Sequence, residues 1–195
     1  MKIIGLTGSI GMGKSVCADL WRSIGVPVHD ADATVHTLMR SNGLAFNAVK
    51  DAFPDVIDNG EIDRQKLGQI IFSDPDKKEI LESILHPLVR QSSQKFIALC
   101  RRRREKLCVL DIPLLYETGR DADMDDVLVV TAPKWVQRRR VLKRRTMTDE
   151  KFKSIVKSQI PDYRKRHLAD FVVTSARGHR HTLNKLKRIK NNNVE

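Results

Sequence analysis

Cysteine is scarce in this sequence. Three cysteines occur among 195 residues, and no two of them have the C-x-x-C spacing that is typical of zinc sites and redox motifs. An odd number without such spacing excludes a disulfide framework. We therefore predict reduced, packed thiols in a cytoplasmic protein at Cys17, Cys100 and Cys108.

Long apolar runs and aromatic residues are also in short supply. The longest aliphatic runs, such as Val127–Val130, are far short of the roughly 18–20 apolar residues that a membrane span needs. Aromatic residues make up 5% of the chain, which leaves few platforms for stacking single-stranded nucleic acid. A glycine-rich loop begins at Gly8 and its leading strand near Lys2, so we expect no signal or transit peptide.

Acidic residues are outnumbered by basic ones. The chain has 36 Lys and Arg residues against 24 Asp and Glu residues, which gives a formal net charge of +12. Such a charge indicates an anionic partner. Nucleic acid, an anionic membrane and a polyphosphorylated small molecule all fit this balance.

Short apolar runs alternate with helical patterns along the chain. Lys2–Thr7 is an apolar run that ends in a glycine-rich turn, Lys14–Ile24 has helical spacing, and Val26–His29 is a second short strand. Strand, loop, helix and strand form a βαβ unit, which predicts a parallel sheet and a doubly wound α/β core. Further strands are predicted at Leu107–Leu110, Val127–Thr131 and Phe171–Val173.

The remaining segments are predicted to be mainly helical. Residues 31–104 form one long helical insertion, in which Pro87 is expected to end or kink a helix. Thr148 is predicted to cap a helix that runs through about Gln159. A basic helix is predicted from about His179 to Ile189, and Asn191–Glu195 is expected to fray.

The strongest chemical signal is a phosphate-binding loop. Residues 8–15 match the pattern G-x-x-x-x-G-K-[ST], whose glycines let successive backbone N–H groups turn toward phosphate oxygens. The following helix presents its positive N-terminal end to the same anion. The pattern predicts a bound nucleoside triphosphate and Mg²⁺ bound by a serine hydroxyl. The predicted nucleotide-binding residues are Gly8, Ser9, Ile10, Gly11, Met12, Gly13, Lys14, Ser15 and Val16.

Carboxylates follow two of the predicted strands, at the edge of the sheet where ligands bind in such folds. Asp30 and Asp32 come after the second strand, and we predict Asp32 as the general base that takes the acceptor's proton. Asp30 is assigned a supporting or capping role. Asp111 ends the third strand and, with Ser15, is the predicted Mg²⁺ ligand.

Arginines cluster in a later helix. Phosphoryl transfer requires positive charge around the transferred group, and Arg140 and Arg144 lie one turn apart on a helix. We predict a mobile lid that folds over ATP, with Arg140 as a catalytic residue. Solvated arginines and a nucleic-acid patch are the alternatives for these clusters.

Several spaced motifs resemble those of the dephospho-coenzyme A kinase family. They occur in order across nearly the whole chain, and the set is more specific than the phosphate loop alone. The sequence departs from the family pattern at His36, at Arg145 and at Thr174-Ser175. The matching motifs are GLTGSIGMGKS at 5–15, DAD at 30–32, LHPLVR at 85–90, DIPLLYE at 111–117, QRRR with Arg144 at 137–144, Gln159, and RHLADFVV at 166–173.

The resemblance implies an α/β, P-loop nucleoside-triphosphate hydrolase-like three-layer fold with a five-stranded parallel sheet. It implies a core of residues 1–30, 105–137 and 167–195, a helical substrate-binding insertion at 31–104 and a lid at 138–166. It also implies transfer of the ATP γ-phosphate to the ribose 3′-hydroxyl of dephospho-coenzyme A. By motif match, the residues implied in substrate binding are Asp32, His86, Arg90, Leu114 and Leu115.

Two other functions remain open on the sequence. One is a different small nucleoside or nucleotide kinase, and the other is an ATP-regulated nucleic-acid-binding protein that uses the arginine clusters. The kinase of dephospho-coenzyme A explains the positive charge without nucleic acid, because both of its substrates are polyanions. We therefore expect ATP and dephospho-coenzyme A as partners, no specific nucleic acid, no membrane, and a monomer or weak homo-oligomer.

Overall fold

The computed structural model describes residues 1–145 and 147–193. Its strands are β1 (Lys2–Thr7), β2 (Val28–Asp30), β3 (Ile57–Asp58), β4 (Glu61–Ile62), β5 (Leu107–Asp111), β6 (Asp126–Thr131) and β7 (Phe171–Thr174). Its helices are α1 (Lys14–Ser23), α2 (Ala31–Leu38), α3 (Phe46–Ala52), α4 (Arg64–Ser73), α5 (Pro75–Arg102), α6 (Lys134–Leu142), α7 (Asp149–Lys157), α8 (Asp162–Leu168) and α9 (His179–Asn192).

The chain divides into two compact units. The first unit comprises residues 1–30 and 99–195, and the second comprises residues 31–98. The first unit contains a five-stranded sheet in the order β2-β5-β1-β6-β7, in which every adjacent pair is parallel. This confirms the predicted fold class. All five residues of β5 are buried, as expected for a central strand of a sheet covered on both faces.

Strand register brings the functional ends of the strands together. Leu6 of β1 is the partner of Asp111 of β5, and Asp111 is in turn the partner of Asp30 at the end of β2. The chain moves from β1 to β2 on one side of the sheet and later to β6 on the other side. Such a topological switch point is where doubly wound folds bind ligands, and the glycine-rich loop leaves β1 there.

One face of this sheet is packed by α1 and α9. Ile4 and Leu6 of β1, Trp21 of α1 and Leu186 of α9 belong to one buried cluster. Lys190 ties the two helices together, because its Nζ donates to the carbonyl of Ile24 at 2.7 Å. The helix that leaves the glycine-rich loop is therefore fixed at its far end by packing and by a hydrogen bond.

The second unit is mainly helical, as predicted. It contains α2, α3, α4 and most of α5, together with the small β3–β4 hairpin, which the sequence pattern did not predict. The helix does not end at Pro87: α5 continues from Pro75 to Arg102. A proline in a helix interior costs about 3 kcal/mol or more, and burial of the apolar stripe on either side of it opposes that cost. The buried stripe consists of Leu81, Leu85 and Val89.

Helix ends follow simple capping chemistry. The Thr148 side chain accepts from the N–H of Lys151, which confirms the predicted cap of α7. The last helix extends beyond the predicted end, to Asn192, and Asn193 donates to the carbonyl of Ile189 at 2.9 Å. Val194 and Glu195, also predicted to fray, lie outside the described residues. In the described part of the chain, no helix is both long and apolar enough to cross a bilayer.

Candidate active site

The glycine-rich loop connects β1 to α1 at the centre of the sheet. A Cβ at Gly8 would lie 2.6 Å from the carbonyl oxygen of Val130, so only glycine allows this close approach to β6. Gly11 and Gly13 have φ values of 75° and 93°, a region that L-residues rarely adopt. The loop conformation therefore requires glycine at these positions.

A buried methionine of the loop connects it to the segment after β6. Met12 is 2% exposed, and its sulfur accepts from the backbone N–H of Ala132 at 3.1 Å. Thr7, at the end of β1, donates to the carbonyl of Pro113 at 2.9 Å. These contacts connect the start and middle of the loop to the segments that follow β6 and β5.

Lys14 and Asp111 form a close ion pair beneath the loop. Lys14 Nζ lies 2.6 Å from Asp111 Oδ1, and the two side chains are 14% and 2% exposed. An opposite charge offsets much of the cost of burying this carboxylate. The structure thus brings together two predicted site residues, one on α1 and one at the end of β5.

Burial also controls the neighbouring thiol. Cys17 lies one turn after Lys14 on α1 and is fully buried. Burial, reinforced by the negative charge of Asp111, raises the pKa of this thiol to about 12. The group is therefore a neutral packing side chain, as the sequence predicts, and is unsuited to act as a nucleophile.

Arg140 of α6 is held against the segment that follows β7. Its Nη1 donates to Ser175 Oγ at 2.7 Å, and its Nη2 donates to the Ser175 carbonyl at 3.2 Å. Ser175 Oγ donates in turn to the carbonyl of Met12 at 2.6 Å. Arg140 is thus connected to the predicted phosphate loop through Ser175.

Two glutamines hold the opposite side of the loop. Gln137 Nε2 donates to the carbonyl of Ile10 at 2.8 Å, and the N–H of Ile10 donates to Gln159 Oε1 at 3.1 Å. A Cβ at Gly11 would lie 2.4 Å from Val141 Cγ2, so α6 packs directly on the loop. Sequence reasoning assigned no role to Gln137 or Gln159. Their only signal was their presence in the family motifs.

A second ion pair supports the segment that carries Gln159. Lys165 of α8 is fully buried and its Nζ lies 2.7 Å from Glu117 Oε1, which also accepts from the N–H of Ile160 at 2.9 Å. Because Ile160 follows Gln159, Glu117 fixes the segment that carries one of the two glutamines. Lys165 was not predicted, since a lysine is rarely fully buried.

The remaining predicted residues occupy varied environments. In the second unit, Asp32 lies exposed in the first turn of α2, and His86 and Arg90 lie exposed on α5. In the first unit, Leu115 is fully buried and a Cβ at Gly5 would lie 2.9 Å from its Cδ2, whereas Leu114 is half-buried. Ser15 and Val16, in the first turn of α1, are both exposed.

Comparison with known proteins gives a consistent family. The family model described as dephospho-CoA kinase matches residues 2–180. A dephospho-CoA kinase of Mesorhizobium japonicum is 48% identical over 178 residues, which cover 91% of this chain and 89% of that protein. A dephospho-CoA kinase of Paramagnetospirillum magneticum is 51% identical over 166 residues, or 85% of this chain and 78% of that protein.

The fold comparison agrees with the sequence comparison. The crystal structure of TT1252 from Thermus thermophilus superimposes with a TM-score of 0.87 at 34% sequence identity. The match covers 100% of this chain and 98% of that chain. Sequence and fold therefore match known proteins over most of their length.

Proposed function

The chain belongs to the dephospho-CoA kinase family, and from this we propose that it transfers the γ-phosphate of ATP to the ribose 3′-hydroxyl of dephospho-coenzyme A. The products are coenzyme A and ADP. The observation that carries the proposal is the glycine-rich loop that leads into α1, where Lys14 Nζ lies 2.6 Å from the Asp111 carboxylate at the end of β5. This arrangement suits a loop that exchanges a carboxylate for phosphate oxygens when ATP binds.

Charge complementarity explains how the loop would act. Lys14 would leave Asp111 for the β- and γ-phosphates and neutralise charge that develops on transfer. The N-terminal end of α1 faces the same anion, since helix N-termini carry unpaired N–H groups. Arg140 donates to Ser175, which donates to the loop at Met12. Arg140 is the proposed lid arginine.

The acceptor hydroxyl needs a group that orients it and takes its proton. We assign this role to Asp32, whose exposed carboxylate is accessible to a ligand. The oxygen of the 3′-hydroxyl forms a bond to the γ-phosphorus, the bond to the bridging oxygen of ADP breaks, and the hydroxyl proton passes to Asp32. The proposed substrate contacts are His86, Arg90, Leu114 and Leu115, and the proposed substrate-binding insertion is residues 31–104.

The donor atoms fit Mg²⁺. The Ser15 hydroxyl and the Asp111 carboxylate are hard oxygen ligands, and Mg²⁺ in such enzymes takes only one or two protein ligands besides phosphate oxygens and water. When bound, the ion would neutralise phosphate charge, and Ser15 and Asp111 would hold it.

We propose a cytoplasmic enzyme that is a monomer or weak homo-oligomer.

A coupled ADP-release assay with ATP and Mg²⁺ tests the proposal. Dephospho-coenzyme A should be the preferred acceptor by kcat/KM over AMP, CMP and shikimate. Preference for AMP, CMP or shikimate would replace the proposal with another small-molecule kinase. Specific RNA or DNA binding that survives physiological salt, with no acceptor turned over, would favour the nucleic-acid alternative.

A further inference from the structure

The phosphate loop contains a β-turn whose type depends on one peptide. The N–H of Met12 donates to the carbonyl of Ser9 at 3.1 Å, which closes a turn with Ile10 and Gly11 at its centre. Gly11 has a φ of 75°, and Ile10 is not among the residues with positive φ. Positive φ at the second central residue alone defines a type II turn.

A type II turn becomes type I when its central peptide flips. Here that peptide is Ile10–Gly11, so the flip would reverse the Ile10 carbonyl and the Gly11 N–H together, because the peptide is planar and trans. Glycine makes the flip easy, since it populates both signs of φ. Only one of the two orientations presents the Gly11 N–H to a given side of the loop.

One of the two glutamines holds the Ile10–Gly11 peptide, and the other holds the Ser9–Ile10 peptide before it. Gln137 Nε2 donates to the Ile10 carbonyl, and Gln159 Oε1 accepts from the Ile10 N–H. Gln137 is 6% exposed on α6, so its amide is fixed by packing, and Gln159 lies between α7 and α8. The carbonyl held by Gln137 points toward α6, and the Gly11 N–H must therefore point away from α6.

We propose that Gln137 and Gln159 are positioning residues: Gln137 holds the Ile10–Gly11 peptide by its carbonyl, Gln159 holds the preceding Ser9–Ile10 peptide by its N–H, and together they fix Ile10 and so aim the Gly11 N–H at the transferred phosphate. Gln137 directly precedes the segment predicted as the lid, residues 138–166, and Gln159 lies within it, so the same contacts connect the start of that segment and a later position in it to the loop. The inference rests on the proposed kinase function for its kinetic readout, but not for its binding readout.

Gln137→Met and Gln159→Met test the proposal, because methionine keeps the side-chain length and removes the hydrogen bond. We expect kcat to fall by about 10- to 100-fold, below the ~100- to 1,000-fold cost of removing a transition-state donor outright. The KM for dephospho-coenzyme A should stay within about twofold, since the loop contacts ATP only. The kcat of the double variant should be little lower than that of the less active single variant, because both side chains fix the same residue, Ile10. Asn184→Leu, which replaces an exposed amide on α9 with an apolar side chain of similar size, is the control.

A second measurement separates this inference from the proposed function. Affinity for the non-hydrolysable analogue AMP-PNP, measured by calorimetry, should fall in both variants whatever the acceptor is. If the wild type turns over no dephospho-coenzyme A, the proposed function fails, and the affinity for AMP-PNP alone then decides the inference. Unchanged AMP-PNP affinity would overturn the inference. Equal increases in the KM values for ATP and for dephospho-coenzyme A, together with a lowered melting temperature, would also overturn it. Should Gln137→Met fail to fold, Gln159→Met carries the same test.

Discussion

Lys165 is fully buried, and its ammonium group lies 2.7 Å from the carboxylate of Glu117. The same Glu117 oxygen accepts from the backbone N–H of Ile160 at 2.9 Å. A buried charge is tolerated when it is paired and becomes very costly when its partner is removed. This pair therefore joins α8 to the segment after β5, and through Ile160 it supports Gln159.

Breaking the pair from one side should cost much more than removing it whole. Lys165→Met or Glu117→Leu alone is expected to lower the free energy of unfolding by about 3–5 kcal/mol, and the double variant should recover most of that loss. Urea denaturation of the four proteins measures the coupling. The exposed Arg22–Asp19 pair, with side chains 41% and 73% exposed, is the control, and Asp19→Ala should cost less than about 1 kcal/mol. Additive losses at Lys165 and Glu117 would contradict the interpretation.

Lys14→Met should abolish most turnover. The variant removes the charge that would meet the β- and γ-phosphates, and it leaves Asp111, which is 1% exposed, without its cation at 2.6 Å. We expect kcat to fall by at least about 100-fold in the ADP-release assay. Lys2→Met, which removes an exposed lysine paired with Asp126 on the same sheet, should leave kcat unchanged. Comparable kcat in Lys14→Met and the wild type would exclude Lys14 from the reaction.

Asp32→Asn tests the proposed base. The asparagine keeps the shape of the side chain and cannot take up the acceptor's proton, so kcat should fall by about 100- to 10,000-fold. ATP affinity should change little, because the proposed role is toward the acceptor. Single-turnover kinetics together with calorimetric titration of ATP would measure the two effects separately. Near-normal turnover would remove Asp32 from this role and leave Asp30 as the candidate.

Arg140→Ala should impair catalysis far more than Arg102→Ala. Arg140 is bonded to Ser175, which contacts the loop at Met12, whereas Arg102 is exposed at the end of α5. Ser175→Ala should have a smaller effect, about tenfold in kcat/KM for ATP, since a hydrogen bond to a charged group contributes about 1.5–3 kcal/mol and the Ser175 carbonyl contact remains. Equal effects of Arg140→Ala and Arg102→Ala would refute the assignment of Arg140 to the lid.

Local pattern was sufficient for the phosphate loop and the sheet. Glycines, a lysine and a strand–helix context are all adjacent in sequence, and the predicted strand at Lys2–Thr7 agrees with β1. The strand ends also placed Asp30 and Asp111 at one edge of the sheet, where register makes them partners. Such features follow from local sequence because periodicity and turn chemistry determine them.

Contacts between distant segments were beyond local pattern. Gln159 is 149 positions from Ile10 and Ser175 is 163 positions from Met12, and nothing near these residues indicates a partner so far away. The prediction that a helix ends at Pro87 was wrong for a related reason. The burial of the apolar stripe, which keeps α5 continuous, is a tertiary effect. The sequence predicted the chemistry of the loop, whereas the side chains that hold its shape emerged only from the fold.

His29 should make the protein sensitive to mild acid. It is 8% exposed in β2, and burial, with help from Arg120 and against the opposing effect of Asp30, lowers the pKa of its imidazole below 6.5. Below about pH 6.5 the unfolded state therefore binds a proton more readily than the folded state does. The contribution of His29 to the free energy of unfolding is complete above about pH 6.5 and is lost as the pH falls through the pKa of the folded state. Urea denaturation should show that the wild type loses more stability than His29→Asn between pH 7.5 and 5.5. Between pH 7.5 and 8.5, where the imidazole is neutral in both states, the difference between the two proteins should stay constant. A wild type and variant with parallel stability curves down to pH 5.5 would show that His29 takes up its proton equally well in the folded and unfolded chain.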